Sequence, residues 1–378
     1  MTTATPGSVD LVRKRMAAGP SGSSRSGRSS ATRIRSMRVV SSSTPDFASG
    51  LSGARVLVTG GSGFIGTNLV GAYKSAGIAV TSLDLAEPRN PGDRDVWRRV
   101  DVRRLDDLRA AFADVRPTHV FHLAARTDLD GQTLEDYDAN VGGVANVLSV
   151  LRDSPVTVAR TVFASSRLVC RIGYQPASEE DYCPTTPYGA SKVETERLVR
   201  ATTDLPWVLS RPTSIWGPWF GVPYRDFFMS IARGRYVHPS GRRIPKSFGF
   251  VGNTIWQLHR LLTGPAPDVL GRTFYTGDDP PIEVGAFADR ISAAIGRKPS
   301  RRVPLTILRL LARVGDAAER AGIRAPLTSF RLANLLTPMV FDLEGLMRLT
   351  GPLPYDEQAG VTATVAWMGQ EGLLGSVR

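Results

Sequence analysis

Tyr188 and Lys192 stand four residues apart in the run Pro187-Tyr188-Gly189-Ala190-Ser191-Lys192. On a helix that spacing sets both side chains on one face. A phenol with an ordinary pKa of about 10 is a poor base at neutral pH, and a neighbouring ammonium favours its phenolate. The pair can therefore serve as a tuned acid/base. Upstream, Phe163-Ala164-Ser165-Ser166 reads as the end of a strand, where Ser166 offers a hydroxyl to a substrate alcohol or carbonyl. A tyrosine and a lysine at this spacing also describe an ordinary solvated helix face. Their position after the elements that follow makes Tyr188, Lys192 and Ser166 candidate catalytic residues.

Those elements begin at Ala54-Arg55-Val56-Leu57-Val58-Thr59-Gly60-Gly61-Ser62-Gly63-Phe64-Ile65-Gly66. Val56–Val58 is a buried-strand run, and Phe64–Ser75 reads as a helix. Gly60, Gly63 and Gly66 thus lie where a strand turns into a helix, the context in which such glycines cradle a dinucleotide. The helix start at Phe64 and Ile65 presents amide donors and a favourable dipole to a pyrophosphate; an ordinary glycine-rich turn is the plainer alternative. The next apolar run, Ile78–Leu83, ends at Asp84, an acid placed to accept ribose hydroxyls and repel a 2′-phosphate. That favours NAD, while nearby Arg89 keeps NADP open. A nicotinamide cation in this loop would further favour the Tyr188 phenolate. Asp101-Val102 follows a third short strand and can meet the adenine edge. Thr118–Leu123 is a fourth strand running into Ala124-Ala125, small enough to let a cofactor pass. A helix near Thr133–Leu151, a strand at Thr161–Ala164 and a helix from Tyr188 continue the alternation, which predicts an α/β doubly wound parallel sheet.

The 378 residues suffice for one large domain or two closely joined ones. The formal charge is +12, but residues 1–50 hold eight basic residues against two acidic ones, +6 of that total. With no basic stripe interleaved with aromatics elsewhere, no nucleic-acid partner is expected. The first 50 residues are rich in Ser, Gly and Arg and poor in large apolar side chains. They read as a disordered basic tail, with an organellar transit peptide or a later translation start as alternatives. Cys170 and Cys183 make no disulfide framework, and the four histidines lack metal-ligand spacing, so no metal is expected. Val303–Val314 is apolar but falls short of the roughly 20 residues that span a bilayer, and Arg309 and Arg313 interrupt it. A cytoplasmic protein with no membrane partner is the expectation.

Taken together, Thr59–Gly66, Asp84, Asp101-Val102, His122-Leu123-Ala124-Ala125, Asn140-Val141, Ser165-Ser166, Tyr188 to Lys192 and Arg211-Pro212 resemble an extended short-chain dehydrogenase/reductase of the NAD-dependent epimerase/dehydratase type, from about Ala54 onward. The resemblance implies a Rossmann-like NAD(P)-binding domain over 51–217. It also implies a smaller mixed α/β substrate-binding region over 218–378, with a strand near 272–277 returning to the Rossmann sheet. It makes Tyr188 the acid/base, Lys192 the residue that lowers its pKa and holds the nicotinamide ribose, and Ser166 the catalytic hydroxyl. Leu123, Asn140 and Arg211 join the cofactor contacts, and the helices carrying Asn140 and Tyr188 pair in a homodimer. Three departures matter. Ser166-Arg167-Leu168 lacks the two acids of the family's dehydratases, which disfavours water loss. Cys170-Arg171 replaces the usual Tyr-Gly, and a packed thiol is expected there. Ser214 stands where the family has Asn.

After Gly217 the alternation breaks. Trp219, Phe220, Tyr224, Phe227 and Phe228 precede Arg233, Arg235, Arg242, Arg243 and Lys246. These form either an aromatic platform with cations for a diphosphate or a small core beside a basic loop. Lys246–Val251 resembles the family's diphosphate-binding strand, with Lys246 and Ser214 as candidate substrate residues, although Lys replaces a bidentate Arg. Ile282–Ile295, Pro304–Ala321 and Tyr355–Trp367 read as helical, a layout similar to the 3β-hydroxysteroid dehydrogenase branch. The first expectation is an NAD-dependent epimerase or ketoreductase of a nucleotide-activated sugar. A hydroxysteroid-type dehydrogenase and a catalytically idle NAD sensor are the alternatives.

Overall fold

A computed structural model describes residues 45–375 except 155, 324 and 326. Its first half alternates strand and helix: β1 (Arg55–Thr59), α1 (Phe64–Ser75), β2 (Ala79–Asp84), β3 (Trp97–Arg99), α2 (Leu105–Val115), β4 (His119–His122), α3 (Asp138–Asp153), β5 (Arg160–Ala164), α4 (Pro187–Arg200) and β6 (Trp207–Pro212). The strands are short and, apart from the edge strand β3 with its exposed Arg98 and Arg99, largely apolar; β1 buries every residue after Arg55, as a sheet covered on both faces requires. The sheet has seven strands in the order β11-β6-β5-β4-β1-β2-β3, every pairing parallel. Chain direction across the sheet reverses between β1 and β4, so their carboxyl ends open the crevice where such folds bind ligands.

The second half is built from shorter pieces: β7 (Ser214–Trp216), α5 (Tyr224–Ala232), β8 (Val237–Pro239), β9 (Pro245–Lys246), β10 (Phe248–Phe250), α6 (Val251–Thr263) and α7 (Ala266–Val269). Then come β11 (Thr273–Thr276), β12 (Ile282–Glu283), α8 (Val284–Ala294), β13 (Arg301–Val303), α9 (Leu305–Arg320), α10 (Ser329–Leu336), α11 (Glu344–Thr350) and α12 (Glu357–Gln370). The strand expected near 272–277 is β11, which lies at the sheet edge beside β6. The other strands pair in twos: β10 with β7, β12 with β9, and β13 with β8.

Two boundaries differ from the sequence reading. Gly217 does not divide two cores, because Val56, Trp216, Phe287 and Val361 belong to one buried cluster. Folded chain also begins before Gly50. Phe47 is buried, its ring 5.8 Å from Tyr73, 5.8 Å from Trp256 and 5.4 Å from His259. A single aromatic supplies enough apolar surface to anchor this segment over α1 and α6. The remainder of the expected tail, residues 1–44, lies outside the described residues. The aromatic run resolves to the plainer of its two readings, since Phe220, Phe227 and Phe228 pack with Trp216 and Phe287 as core.

Candidate active site

The glycine loop is held by its own backbone. A Cβ on Gly66 would stand 2.2 Å from the Gly60 carbonyl oxygen, and one on Gly60 would stand 2.5 Å from the Ala124 amide nitrogen. Gly60 also has φ +75°, which L side chains rarely adopt. The loops after β1 and β4 therefore touch at the switch point, and only glycine permits it. Gly63 caps α1 without any side-chain hydrogen bond, and no acid occupies the first turn. The first amides, among them those of Phe64 and Ile65, are left for an anion, so the loop fits the pyrophosphate of a dinucleotide. Asp84 ends β2 as expected, but its carboxylate is partly engaged: Oδ2 accepts from the Ser62 amide at 3.0 Å and Oδ1 from the Ala86 amide at 3.0 Å. Arg89 donates to the Ser62 carbonyl at 3.0 Å, bracing the same loop from outside.

Beyond β3, Asp101 pairs with Arg103 at 2.7 Å, and the Val102 side chain packs against Gly143. Asn140 is buried on α3. It accepts from the Arg126 amide at 2.8 Å and donates to the Arg126 carbonyl at 3.1 Å and to Ser191 Oγ at 2.9 Å. It fastens the segment after Leu123-Ala124-Ala125 to α4, which makes it a positioning residue in this geometry.

The helix α4 starts where Thr186 Oγ1 accepts from the Gly189 amide at 3.0 Å and Pro187 takes the first turn. Its buried face runs Tyr188, Ser191, Lys192, Thr195, Glu196, Val199. This is helical spacing with polar residues where a structural helix would carry leucines. Tyr188 is 7% exposed; burial raises its pKa, while a hydrogen bond with Ser166 and the charge of Arg167 oppose the rise. Ser166 also accepts from the Leu168 amide at 3.1 Å, which fixes its Oγ at the end of β5. The Lys192 ammonium donates to the Ala164 carbonyl at 2.9 Å, and burial lowers its pKa to about 8 against the pull of Glu196. Tyr188, Lys192 and Ser166 are thus brought together at the carboxyl end of β5.

Glu196 was missed from sequence. It is fully buried and accepts from Ser165 Oγ at 2.5 Å, Arg211 Nε and Nη2 at 2.7 Å each, and the Tyr182 hydroxyl at 3.0 Å. The available signal was its place four residues after Lys192 on the same face. Arg211, expected among the cofactor contacts, is instead spent in this bidentate pair and in a 3.2 Å bond to the Tyr275 hydroxyl. A desolvated guanidinium needs such a partner, which is why Arg211 ties β6 to α4 and does not face the crevice. His122 lies beneath: Nδ1 meets Thr59 Oγ1 at 2.8 Å, and burial together with Lys192 lowers its pKa to about 3.

The substrate residues are placed otherwise than expected. Ser214 is buried in the β7–β10 pair. Lys246 is 5% exposed and donates to the Asn334 carbonyl at 2.7 Å, with burial lowering its pKa to about 8. Around it, Arg167 Nη1 reaches Met339 Sδ at 3.4 Å and Gln175 donates to the Val340 carbonyl at 3.1 Å. The end of α10 and the segment after it cover Lys246, the residue expected to meet a diphosphate, whereas Arg233, Arg235, Arg242 and Arg243 are exposed. Cys170 is buried, with Sγ donating to the Asp181 carbonyl at 3.3 Å and its pKa raised by burial.

Residues 56–235 match the NAD dependent epimerase/dehydratase family. A 3 beta-hydroxysteroid dehydrogenase/Delta 5-->4-isomerase of Mycobacterium tuberculosis is 31% identical over 275 residues, spanning 66% of this chain and 72% of that protein. The chain belongs to the NAD-dependent epimerase/dehydratase family. Like other members of this extended short-chain dehydrogenase/reductase group, it is an NAD-dependent oxidoreductase/epimerase. The UDP-glucose 4-epimerase of Vibrio cholerae is 27% identical over 272 residues, 67% of this chain and 79% of that protein. The UDP-glucose 4-epimerase of Thermus thermophilus, solved with NAD, shares the fold at TM-score 0.62 and 24% identity, covering 83% of this chain and 99% of that one. Among the described residues, no helix is long and apolar enough to cross a membrane.

Proposed function

We propose that the protein is an NAD-dependent dehydrogenase or ketoreductase of an apolar secondary alcohol or ketone, of the hydroxysteroid kind. The observation that carries this reading is the seat of Lys246. Its ammonium already serves the Asn334 carbonyl, and Met339 and Val340 lie over the neighbouring Arg167 and Gln175. A diphosphate would have to displace these contacts, whereas an apolar ring system meets a cover that carries apolar side chains. The Mycobacterium tuberculosis relative, named for a 3 beta-hydroxysteroid, and a Stigmatella aurantiaca relative, named as a ketoreductase of a farnesylated quinoline oxide, support the same substrate class.

NAD, bound through the first amides of α1 at the glycine loop, would supply the hydride acceptor. Tyr188 takes the hydroxyl proton as the carbinol C–H bond breaks, leaving the ketone. Ser166 holds the substrate oxygen, and the Lys192 ammonium stabilises the phenolate and keeps its own orientation through Ala164. Glu196 and Asn140 position these groups without touching substrate. In the reverse direction the proton returns from Tyr188 to the alkoxide oxygen.

Nucleotide-sugar epimerisation, the first expectation, is the second reading; relatives such as the Vibrio cholerae enzyme favour it. In either reading two copies pair through α3 and α4, which light scattering of the eluting protein checks. Thermal denaturation separates the readings, because a ligand that binds the folded chain raises its midpoint by mass action. NAD raises it more than NADP, and hydroxysteroids add to the NAD shift. A further shift with a UDP-sugar and none with steroids overturns the proposal.

A further inference from the structure

The helix α9 has two apolar stripes. Leu308 and Ala312 form the inner one, buried with Leu332 of α10. Ile307, Leu310, Leu311 and Val314 form the outer one at spacings of three, four and seven residues, exposed by 47%, 63%, 50% and 61%. Ile323, after α9, and Phe330, near the start of α10, are exposed by 64% and 73% as well. Single exposed apolar residues are ordinary, but a contiguous stripe of large ones marks an interaction surface.

The charges of α9 are sorted with respect to this stripe. At 3.6 residues per turn, Arg309, Arg313 and Arg320 fall together on one flank. Its two acids face α10: Asp316 accepts from the Ser329 amide at 2.8 Å and hydroxyl at 2.5 Å, and Glu319 lies 4.0 Å from Arg331. The outward face is therefore apolar with a cationic margin. Beside it, at the start of α9, a cavity of about 330 Å³ is lined by Arg242, Arg243 and Arg309 together with Ile244, Leu305, Leu336 and Pro338. Guanidinium groups beside apolar side chains suit a phosphate attached to an apolar chain.

We propose that α9 and α10 are a docking surface for an anionic lipid bilayer. The outer stripe enters the headgroup boundary, Arg309, Arg313 and Arg320 lie at the phosphate level, and a lipid phosphate occupies the cavity of Arg242, Arg243 and Arg309. The expectation of no membrane partner is revised in this respect. Val303–Val314 is too short and too charged to span a bilayer, yet those same features suit a helix lying flat on one. A second copy of the chain is a poorer occupant, since it would bury the arginine margin with no acid on this face to meet it. Docking stands independently of the substrate. The segment after α10 joins the two regions, since Pro338 lines this cavity and Met339 meets Arg167.

The test is sedimentation of the full chain with vesicles of phosphatidylcholine alone or mixed with phosphatidylglycerol. The protein sediments with the mixed vesicles and stays in solution with the neutral ones. Leu310→Glu/Val314→Glu lowers vesicle affinity at least about tenfold while keeping the wild-type melting midpoint and NAD binding. Arg242→Ala/Arg243→Ala weakens binding to mixed vesicles in proportion to their anionic fraction. Because both variants retain the basic N-terminal residues, wild-type vesicle binding by Leu310→Glu/Val314→Glu would assign the effect to that tail and overturn the proposal. Equal affinity for neutral vesicles, a dimer lost in the same variant without vesicle binding, or stabilisation by inorganic phosphate without vesicle binding would each overturn it too.

Discussion

Lys192 and Lys246 are buried ammonium groups in the two halves of the molecule, and their surroundings put them to different use. Each donates to a backbone carbonyl, Ala164 at 2.9 Å and Asn334 at 2.7 Å, and burial lowers each pKa to about 8. Lys192, 3% exposed, sits on a helix face of polar side chains, one turn from Tyr188 and one turn before Glu196, whose charge opposes the lowering of its pKa. Lys246 sits under the chain's own cover, beside the cation of Arg167, which lowers its pKa further. A side chain's chemistry names what it can do; the element packed over it decides whether a ligand reaches it.

The sharpest way to break this contrast is in the catalytic half. Tyr188→Phe is expected to lower kcat by about 10²–10⁴ while NAD titration is unchanged, since only the proton-transfer group is lost. A comparable loss from Lys246→Met would erase the distinction between the two lysines. Next, Gly66→Ala abolishes NAD binding and costs roughly 1–3 kcal/mol in denaturant unfolding, because its Cβ would lie 2.2 Å from the Gly60 carbonyl oxygen. Asp84→Ala follows, weakening NAD about tenfold and NADP less, read from the ratio of dissociation constants.

The smallest effect concerns Lys246 itself. Its folded pKa of about 8 lies below the ordinary value of about 10.4, so between those limits the unfolded chain binds more protons and stability rises with pH. Below about pH 8 the buried ammonium opposes folding. Lys246→Met is therefore expected to raise the melting midpoint at pH 7, by an amount worth about 1 kcal/mol, and to lose that advantage near pH 10. A variant less stable than wild type at pH 7 would mean that the bond to Asn334 outweighs desolvation.

The same contrast explains what was legible in the sequence. Short apolar strands ending in glycine, acid or serine, and a tyrosine and lysine one helical turn apart, are local patterns. They were enough to anticipate the parallel sheet and the meeting of Tyr188, Lys192 and Ser166. Arg211 was misplaced because its partner, Glu196, comes from a different element, and a buried ion pair leaves no spacing signature between β6 and α4. The sequence offers Lys246 to a diphosphate because its partner, Asn334, lies 88 residues away on α10. Phe47 anchored a segment whose composition reads as tail, since one buried ring counts for little in an average.

The reaction proposed for this chain is hydride transfer to NAD from an apolar secondary alcohol through Tyr188. The most direct test follows NADH absorbance with the purified chain, NAD and 3β-hydroxysteroids, beside the Tyr188→Phe variant and a parallel series with UDP-hexoses. The wild-type chain is expected to form NADH from a hydroxysteroid, and the variant to lose that activity. Interconversion of a UDP-hexose with no NADH formed from any apolar alcohol would contradict it.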